Sequence, residues 1–394
     1  MSGRKLGIAI VGLGGAVGTT MVAGIELLKK DLIGTDGLPL AGAVGELVDY
    51  ADIVFAGWDL FPDHLAKAAE NHEVLTYKQH VAVDNKLRAI KPWPAIGNAN
   101  FLANIDGTNR LDAGSHRETI SRLRSDLAGF ESECDSVVVI NLASTEKLAG
   151  EGNEIFNSLA GFEKALDENS PEIPPAMLYA YAAIAEGIPY GNFTPSVAAD
   201  IPALIEFADK QSVPIAGKDG KTGQTFIKTV LAPALKSRAL KVEGWYSTNI
   251  LGNRDGLALS NEDSLASKVK TKSSVLEDIL GYDVEDHIVD IRYYRPRGDN
   301  KEAWDNIDVT GFLGQPMQIK VNFLCKDSIL AAPLAIEIAR CLDLAKRRGE
   351  SGVQEQLSVF FKLPMTKSGR PEQAFHRQEE MLSAWLVDDL EVLS

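Results

Sequence analysis

The start of the chain places a glycine-rich turn between a short apolar run and a helical pattern. The run Leu6–Val11 has the length of a buried strand, and the helical pattern covers about 17–30. A glycine at 12 permits a tight turn, and one at 14 or 15 lets the backbone approach a pyrophosphate at the helix start. We therefore predict a Rossmann-type βα unit that binds a dinucleotide. Its cofactor-binding residues would be Gly12, Gly14, Gly15, Ala16, Val17 and Gly18.

Two further apolar runs predict neighbouring strands of the same sheet. They cover residues 53–56 and 136–140, and such continuous apolar runs are typical of parallel strands covered by helices on both faces. Asp59 follows the first run, where a carboxylate would accept hydrogen bonds from the ribose hydroxyls of a dinucleotide. The alternative is that Asp59 is the N-cap of a helix over residues 60–70.

The sequence changes character after about residue 234, where polar and apolar residues begin to alternate as in a sheet with one open face. A later amphipathic helix, Ile329–Arg347, would return to pack on the first domain. The predicted strands are Leu240–Tyr246, His287–Tyr294 and Met317–Phe323. The predicted class is therefore α/β. A Rossmann-type NAD-binding domain would cover 1–205 and 325–394, and an α+β catalytic and oligomerisation domain would cover 206–324.

The length and the net charge of the chain indicate how many domains it has and which partners it does not bind. The chain has 394 residues, which favours two domains, and a net charge of −15 from 40 basic and 55 acidic side chains. Nucleic acids and anionic membranes repel such a chain at long range, so neither is predicted as a partner. The three cysteines are widely spaced and odd in number. This is typical of reduced thiols and favours a cytoplasmic location.

Polar residues that could form a chemical site are densest between Asn249 and Asp327. Residues 249–256 set amides and a carboxylate among glycines whose backbone N–H groups would cup a phosphate. Lys268 and Lys272 are four residues apart, so on a helix they would flank one anion, although a lysine run is also typical of a solvated surface. Lys301 stands in a polar stretch and is predicted to lie in an exposed loop. Lys362 interrupts an apolar string, where a lysine needs a partner or a function.

Several motifs follow one another along residues 7–365 in a fixed order. Besides the segments 12–18 and 57–59, they are Asp219–Thr225, Leu251–Gly256, Ser267–Val275, Gly298–Lys301 and Cys325–Ala331. Together they resemble the motifs of the myo-inositol-1-phosphate synthase family, in its shorter prokaryotic branch. Linked motifs in one order are far more specific than any single motif.

The resemblance implies an NAD-dependent isomerase that acts on a sugar phosphate. In that family NAD⁺ removes hydride from C5 of glucose 6-phosphate, a proton leaves C6, and the enolate attacks the C1 aldehyde. NADH then reduces the ketone, which gives myo-inositol 1-phosphate, also numbered 1D-myo-inositol 3-phosphate. The resemblance further implies a homotetramer and a place in inositol and phospholipid biosynthesis.

The resemblance also assigns site residues, with lysines at the reacting oxygens because ammonium groups in a dry pocket stabilise oxyanions strongly. The catalytic residues would be Lys268, Lys301 and Lys362, with Asp219, Asp255 and Asp327 orienting them or the cofactor. The substrate phosphate would contact Lys272, Thr222, Gly223, Gln224, Asn249, Leu251 and Asn253. NAD would also contact Asp59, Ala143, Ser144, Thr145, Asp299, Asp327 and Ser328, although an ordinary helix cap is the alternative for Asp327 and Ser328.

Some questions stay open at the level of sequence. Thr222, Arg254 and Lys326 depart from the family pattern, so the substrate is glucose 6-phosphate or another hexose phosphate. An ordinary NAD-dependent dehydrogenase would share the glycine-rich turn but leaves the separated lysines unexplained, and a non-catalytic regulator would lack them. The six histidines show no ligand spacing, so no metal ligand is assigned. A divalent cation that bridges cofactor and substrate needs only carboxylates, water and backbone oxygens.

Overall fold

The computed structural model describes residues 3–43, 46–102, 107–149, 153–252, 275–367 and 369–387. Within these ranges the chain forms a seven-stranded sheet and a four-stranded sheet, which confirms the predicted α/β class. The strands are β1 (Leu6–Val11), β2 (Ile53–Asp59), β3 (Trp93–Pro94), β4 (Ser136–Asn141), β5 (Tyr190–Asn192), β6 (Pro214–Gly217), β7 (Lys241–Leu251), β8 (Asp286–Tyr293), β9 (Asn300–Thr310), β10 (Pro316–Lys326) and β11 (Gly352–Val353).

Ten labelled helices connect the strands of the described part, and residues 275–280 are also helical. The helices are α1 (Ala16–Leu28), α2 (Leu65–His72), α3 (Tyr77–Ala89), α4 (His116–Glu131), α5 (Leu159–Asp167), α6 (Pro175–Ala185), α7 (Pro202–Lys210), α8 (Gln224–Ser237), α9 (Asp327–Arg347) and α10 (Phe375–Val387). Short 3₁₀ turns cover Tyr50–Asp52, Glu154–Phe156, Arg295–Arg297, Phe312–Gly314 and Glu355–Phe360.

The larger sheet has the order β11-β6-β5-β4-β1-β2-β3, and all its paired strands are parallel. Every residue of β1 is buried, as its continuous apolar run predicts for a strand with helices on both faces. One apolar core lies between the sheet and helices α4 to α7. A second core fills the other face, where α1 to α3 and α9 pack. The fold therefore leaves the carboxyl ends of the parallel strands at one edge.

The four-stranded sheet has the order β10-β9-β7-β8. Its pairs are antiparallel except for β7 and β8. Trp245 and Ile307 on its inner face pack on α8 and the 275–280 helix in a small third core. The sequence did not predict β9, and the loop assignment of Lys301 is wrong because this residue lies on that strand, paired with Cys325.

Strand pairing bears on where the boundary between the two predicted domains lies. Strand β6 pairs with β5 and β11 in the larger sheet, although residues 206–324 were assigned to the second domain. We propose that the second domain begins after Gly217. Its last strand ends at Lys326, directly before α9. Across the described residues, the helices include none that is both long and apolar enough to cross a membrane.

Candidate active site

A cavity opens at the carboxyl ends of β1, β2, β4, β5 and β6 and is bordered on another side by the four-stranded sheet. Parallel α/β sheets bind ligands at this edge. The predicted site residues that line it are Gly12, Gly15, Ala16, Val17, Gly18, Asp59, Ala143, Ser144, Thr145, Asp219, Thr222, Gly223, Gln224, Leu251, Lys301, Asp327, Ser328 and Lys362. Gly14, Asn249 and Asp299 each bond to one of these residues. Asn253, Asp255, Lys268 and Lys272 lie outside the described residues.

The glycine-rich turn joins β1 to α1 at one end of the cavity. The N–H groups of Gly12 and Leu13 donate to the carbonyl oxygen of Trp58 at 2.8 and 3.0 Å, which ties the turn to β2. Helix α1 begins behind Gly15, and no side chain caps its first turn. Its N–H groups and dipole therefore favour an anion at this end of the cavity.

Asp59 is buried at the end of β2 and fixes the same turn. Its carboxylate accepts hydrogen bonds from the N–H of Gly14 at 2.8 Å and from the N–H of Phe61 at 2.9 Å. The helix-cap alternative for Asp59 is wrong, because α2 begins later and His64 is its N-cap. His72 also lines the cavity, and its Nε2 lies 2.8 Å from the carbonyl oxygen of Gly14. No sequence motif pointed to this histidine.

Glu146 is a second cavity residue that sequence reasoning missed. It follows the predicted cofactor residues 143–145 and is only 4% exposed. Its Oε1 accepts a hydrogen bond from the N–H of Ala176 at 3.0 Å, in the first turn of α6. Burial raises the pKa of this carboxyl to about 8. Burial therefore favours the neutral form of this carboxyl.

Asp219 and Lys362 form one lysine–aspartate pair in the cavity. Lys362 Nζ donates to Asp219 Oδ1 at 2.6 Å, and the main-chain N–H of Lys362 donates to the carbonyl oxygen of Asp219 at 2.7 Å. Both side chains are largely buried. The apolar string around Lys362 predicts a partner for its ammonium group, and the carboxylate of Asp219 is that partner.

Lys301 and Asp327 form a second pair at the start of α9. Lys301 Nζ donates to Asp327 Oδ1 at 3.2 Å, and both side chains are more than three-quarters buried. Asp299 accepts hydrogen bonds from the hydroxyl of Ser328 at 2.7 Å and from its N–H at 3.2 Å. The sequence neighbours 299–301 and 327–328 thus form one cluster that presents a lysine to the cavity.

The amide groups of Gln224 and Asn249 bond to each other beneath the cavity. Asn249 donates through Nδ2 to Gln224 Oε1, and Gln224 donates through Nε2 to Asp305 Oδ2 at 3.2 Å. Asp305 is fixed in turn by the indole N–H of Trp245 at 2.8 Å and the hydroxyl of Ser247 at 2.6 Å. The oxygen and the nitrogen of the Gln224 side-chain amide both already form hydrogen bonds. Gln224 would therefore contact a ligand through its main-chain N–H, at the start of α8.

The comparisons with known proteins agree with this geometry. The family model for myo-inositol-1-phosphate synthase matches residues 34–387. The chain is 46% identical over 385 residues to inositol-3-phosphate synthase 1 of Bacteroides thetaiotaomicron, with 92% of this chain and 90% of that protein covered.

Two solved structures extend the likeness to the whole fold. The inositol-3-phosphate synthase of Caenorhabditis elegans superposes with a TM-score of 0.90 at 27% identity, covering 98% of this chain and 85% of that chain. A myo-inositol-1-phosphate synthase-related protein of Thermotoga maritima gives a TM-score of 0.81 at 26% identity, covering 97% and 98%. From its sequence and its fold, the chain belongs to the myo-inositol-1-phosphate synthase family.

Proposed function

We propose that this protein is an NAD-dependent inositol-3-phosphate synthase, an isomerase that converts glucose 6-phosphate into 1D-myo-inositol 3-phosphate. The observation that supports it is a single cavity shared by a dinucleotide-type turn and two lysine–aspartate pairs. A reaction that oxidises, cyclises and re-reduces one substrate needs its cofactor and its oxyanion-stabilising groups around the same atoms.

The residues at the glycine-rich turn fit NAD. A side chain at Gly15 would meet only the carbonyl oxygen of Gly12, at 3.1 Å, so the missing Cβ leaves room for a pyrophosphate beside the start of α1. Asp59 would accept from a ribose hydroxyl, and Ala143, Ser144 and Thr145 would line the nicotinamide half. When bound, NAD⁺ would accept a hydride from C5 of the sugar and return it after ring closure.

The two lysines supply the charge that the cyclisation requires. Oxyanions develop at O5 and then at O1, and the ammonium groups of Lys301 and Lys362 would stabilise them and exchange protons with them. Asp219 and Asp327 would orient these lysines, since each already bonds to its ammonium group. The family resemblance gives Lys268 the same role as the two lysines and Asp255 the same role as the two aspartates.

The substrate phosphate would lie at the start of α8. Thr222 and Gly223 precede this helix and line the cavity, as does Leu251 at the end of β7. Unbonded N–H groups and the helix dipole would favour the phosphate there. Lys272 and Asn253 complete the phosphate contacts by resemblance to the family.

The test is an anaerobic incubation of the purified protein with NAD⁺ and glucose 6-phosphate. We expect inositol phosphate, identified by phosphorus NMR and chromatography against a standard, with no net rise in NADH absorbance. Lys362→Ala should lower kcat by at least about a hundredfold because an oxyanion contact is lost. Lys210→Ala, a change at an exposed lysine on α7, is the control. Stoichiometric NADH would instead identify an ordinary dehydrogenase, and turnover of a different hexose phosphate would reassign the substrate.

A divalent cation stays a prediction of the sequence. The described residues contain no group of three or more His, Cys, Asp or Glu side chains that could hold a metal ion. A cation that bridges cofactor and substrate phosphates would need fewer protein ligands. Loss of activity on treatment with EDTA, and its recovery with Mg²⁺, would establish the requirement.

The proposal includes a cytoplasmic homotetramer. The outer face of the four-stranded sheet supports assembly because it exposes large apolar side chains at Tyr246, Ile288, Trp304 and Leu324. Side chains of this kind favour burial against a second copy of the chain.

A further inference from the structure

Lys221 stands in the middle of the loop that joins β6 to α8, yet its side chain turns away from the cavity. Its neighbours Asp219, Gly220, Thr222 and Gly223 line the cavity, whereas Lys221 does not. The residue is only 3% exposed. Its side chain therefore has a role different from that of the neighbouring site residues.

The side chain of Lys221 reaches the C-terminal helix α10. Its Nζ donates a hydrogen bond to Gln378 Oε1 and lies 5.5 Å from the centroid of the Phe375 ring. Gln378 is fully buried, and its Nε2 donates to the carbonyl oxygen of Glu372 at 2.6 Å. The orientation of the Gln378 amide is thus set by a second hydrogen bond, which directs its oxygen toward Lys221.

This lysine is energetically costly where it lies. Burial lowers its pKa to about 7, and no carboxylate of the described residues offsets that cost. An apolar residue at 221 would avoid the penalty of a buried ammonium group. The presence of a lysine at 221 is explained if its contact with Gln378 positions the loop.

The loop around Lys221 contacts the segment that carries Lys362, and it leads into the start of α8. The N–H of Lys221 donates to the carbonyl oxygen of Phe360 at 2.8 Å, next to the segment that carries Lys362. Helix α10 also packs on α8, where the rings of Phe226 and Phe375 meet edge to face at 5.1 Å. A shift of α10 would therefore move the loop that leads to the start of α8.

We propose that Lys221 is a positioning residue: its bond to Gln378 ties the C-terminal helix α10 to the loop 219–223, so that α10 sets the geometry of the phosphate end of the site. This inference rests on the proposed function for the identity of the phosphate ligand. It predicts that Lys221→Met weakens glucose 6-phosphate binding about tenfold, which corresponds to the loss of one buried hydrogen bond. NAD affinity should change less than about twofold, because the glycine-rich turn lies on other elements.

The experiment measures the dissociation constant of glucose 6-phosphate by calorimetry without NAD, together with KM, kcat and Tm. Lys228→Met is the matched control. Lys228 is equally buried and lies on α8, and its Nζ is 2.6 Å from Nε2 of His287 instead of contacting α10. We expect KM to rise in Lys221→Met with kcat nearly unchanged, and no such rise in the control.

A double variant separates positioning from packing. Lys221→Met with Gln378→Met replaces both partners by apolar groups, so it should recover any stability that the single change loses. If binding of glucose 6-phosphate is recovered with it, the role is packing and the proposal is wrong. The proposal is also wrong if Lys221→Met binds glucose 6-phosphate as tightly as the wild-type protein does. Because the calorimetry needs no turnover, it still tests Lys221 if the protein makes no inositol phosphate.

Discussion

At the scale of single residues, burial decides the chemistry of Glu146. The carboxyl group lies beside the predicted cofactor residues and is held by one main-chain N–H, that of Ala176. Without a cationic partner among the described residues, desolvation raises its pKa to about 8. Glu146 can therefore act as a hydrogen-bond donor toward a ligand at neutral pH, which no ionised carboxylate can do.

This raised pKa predicts a pH dependence of stability. Folded protein retains the Glu146 proton up to about pH 8, whereas the unfolded chain releases it near 4.5. Unfolding thus releases a proton between these values, and stability falls as pH rises, by at most about 1.4 kcal/mol per pH unit. Glu146→Gln cannot titrate, so its stability relative to wild type should increase from pH 5 to 8 in urea unfolding. A difference that stays flat over this range would contradict a buried neutral Glu146.

At the scale of elements, the contact between β1 and β2 depends on a glycine. Gly57 has φ +150, and a Cβ there would lie 2.0 Å from the carbonyl oxygen of Ile10. Gly57→Ala should therefore separate β1 from β2 and lower the free energy of unfolding by at least about 3 kcal/mol. Differential scanning calorimetry measures this loss of stability, and a substitution at a second glycine serves as the control.

Gly24, inside α1, is the matched control because a Cβ there would meet nothing within 4 Å. Gly24→Ala should raise stability by up to about 1 kcal/mol through its helix propensity. Equal effects of the two substitutions would show that the strand contact does not depend on the missing Cβ.

The elements also show what a sequence can predict. Strand β1 and nearly all of β4 follow from continuous apolar runs, because a strand with helices on both faces needs apolar residues at every position. Strand β9 was missed because its inward-facing position 305 is an aspartate. That carboxylate is buried but accepts hydrogen bonds from Trp245, Ser247 and Gln224. Such partners lie far away in sequence, so the residue types alone read as a polar loop.

The candidate site shows the same limit. The apolar string around Lys362 predicts that this lysine has a partner, but Asp219 is 143 residues away and only the packing of two segments reveals it. The neutral acid Glu146 and the tether from Lys221 to α10 had no sequence signal, since an isolated acid or lysine usually lies at the surface. The glycine-rich turn was predictable because the strand β1, the glycines and the start of α1 follow one another directly in the sequence.

At the scale of the whole molecule, the four-stranded sheet borders the cavity at one edge, and its outer face is exposed to solvent. Lys301 and Leu251 line the cavity, while Trp304 and Tyr246 on the outer face contact each other edge to face at 5.6 Å. Trp304 is 42% exposed. A face of this kind is costly in water, which is the physical basis of the proposed tetramer.

The tetramer proposal predicts that a charge on this face prevents assembly. Wild-type protein should sediment at four times its 42.6 kDa chain mass, and Trp304→Glu should shift it to smaller species, because an unpaired carboxylate would be buried in the interface. Tyr77→Glu, on α3 and 84% exposed, is the control for an aromatic lost elsewhere. Circular dichroism checks that both variants fold. A folded Trp304→Glu variant that sediments like wild type would exclude this face as the interface, and the edge strands β8 and β10 would then be tested by the same measurement.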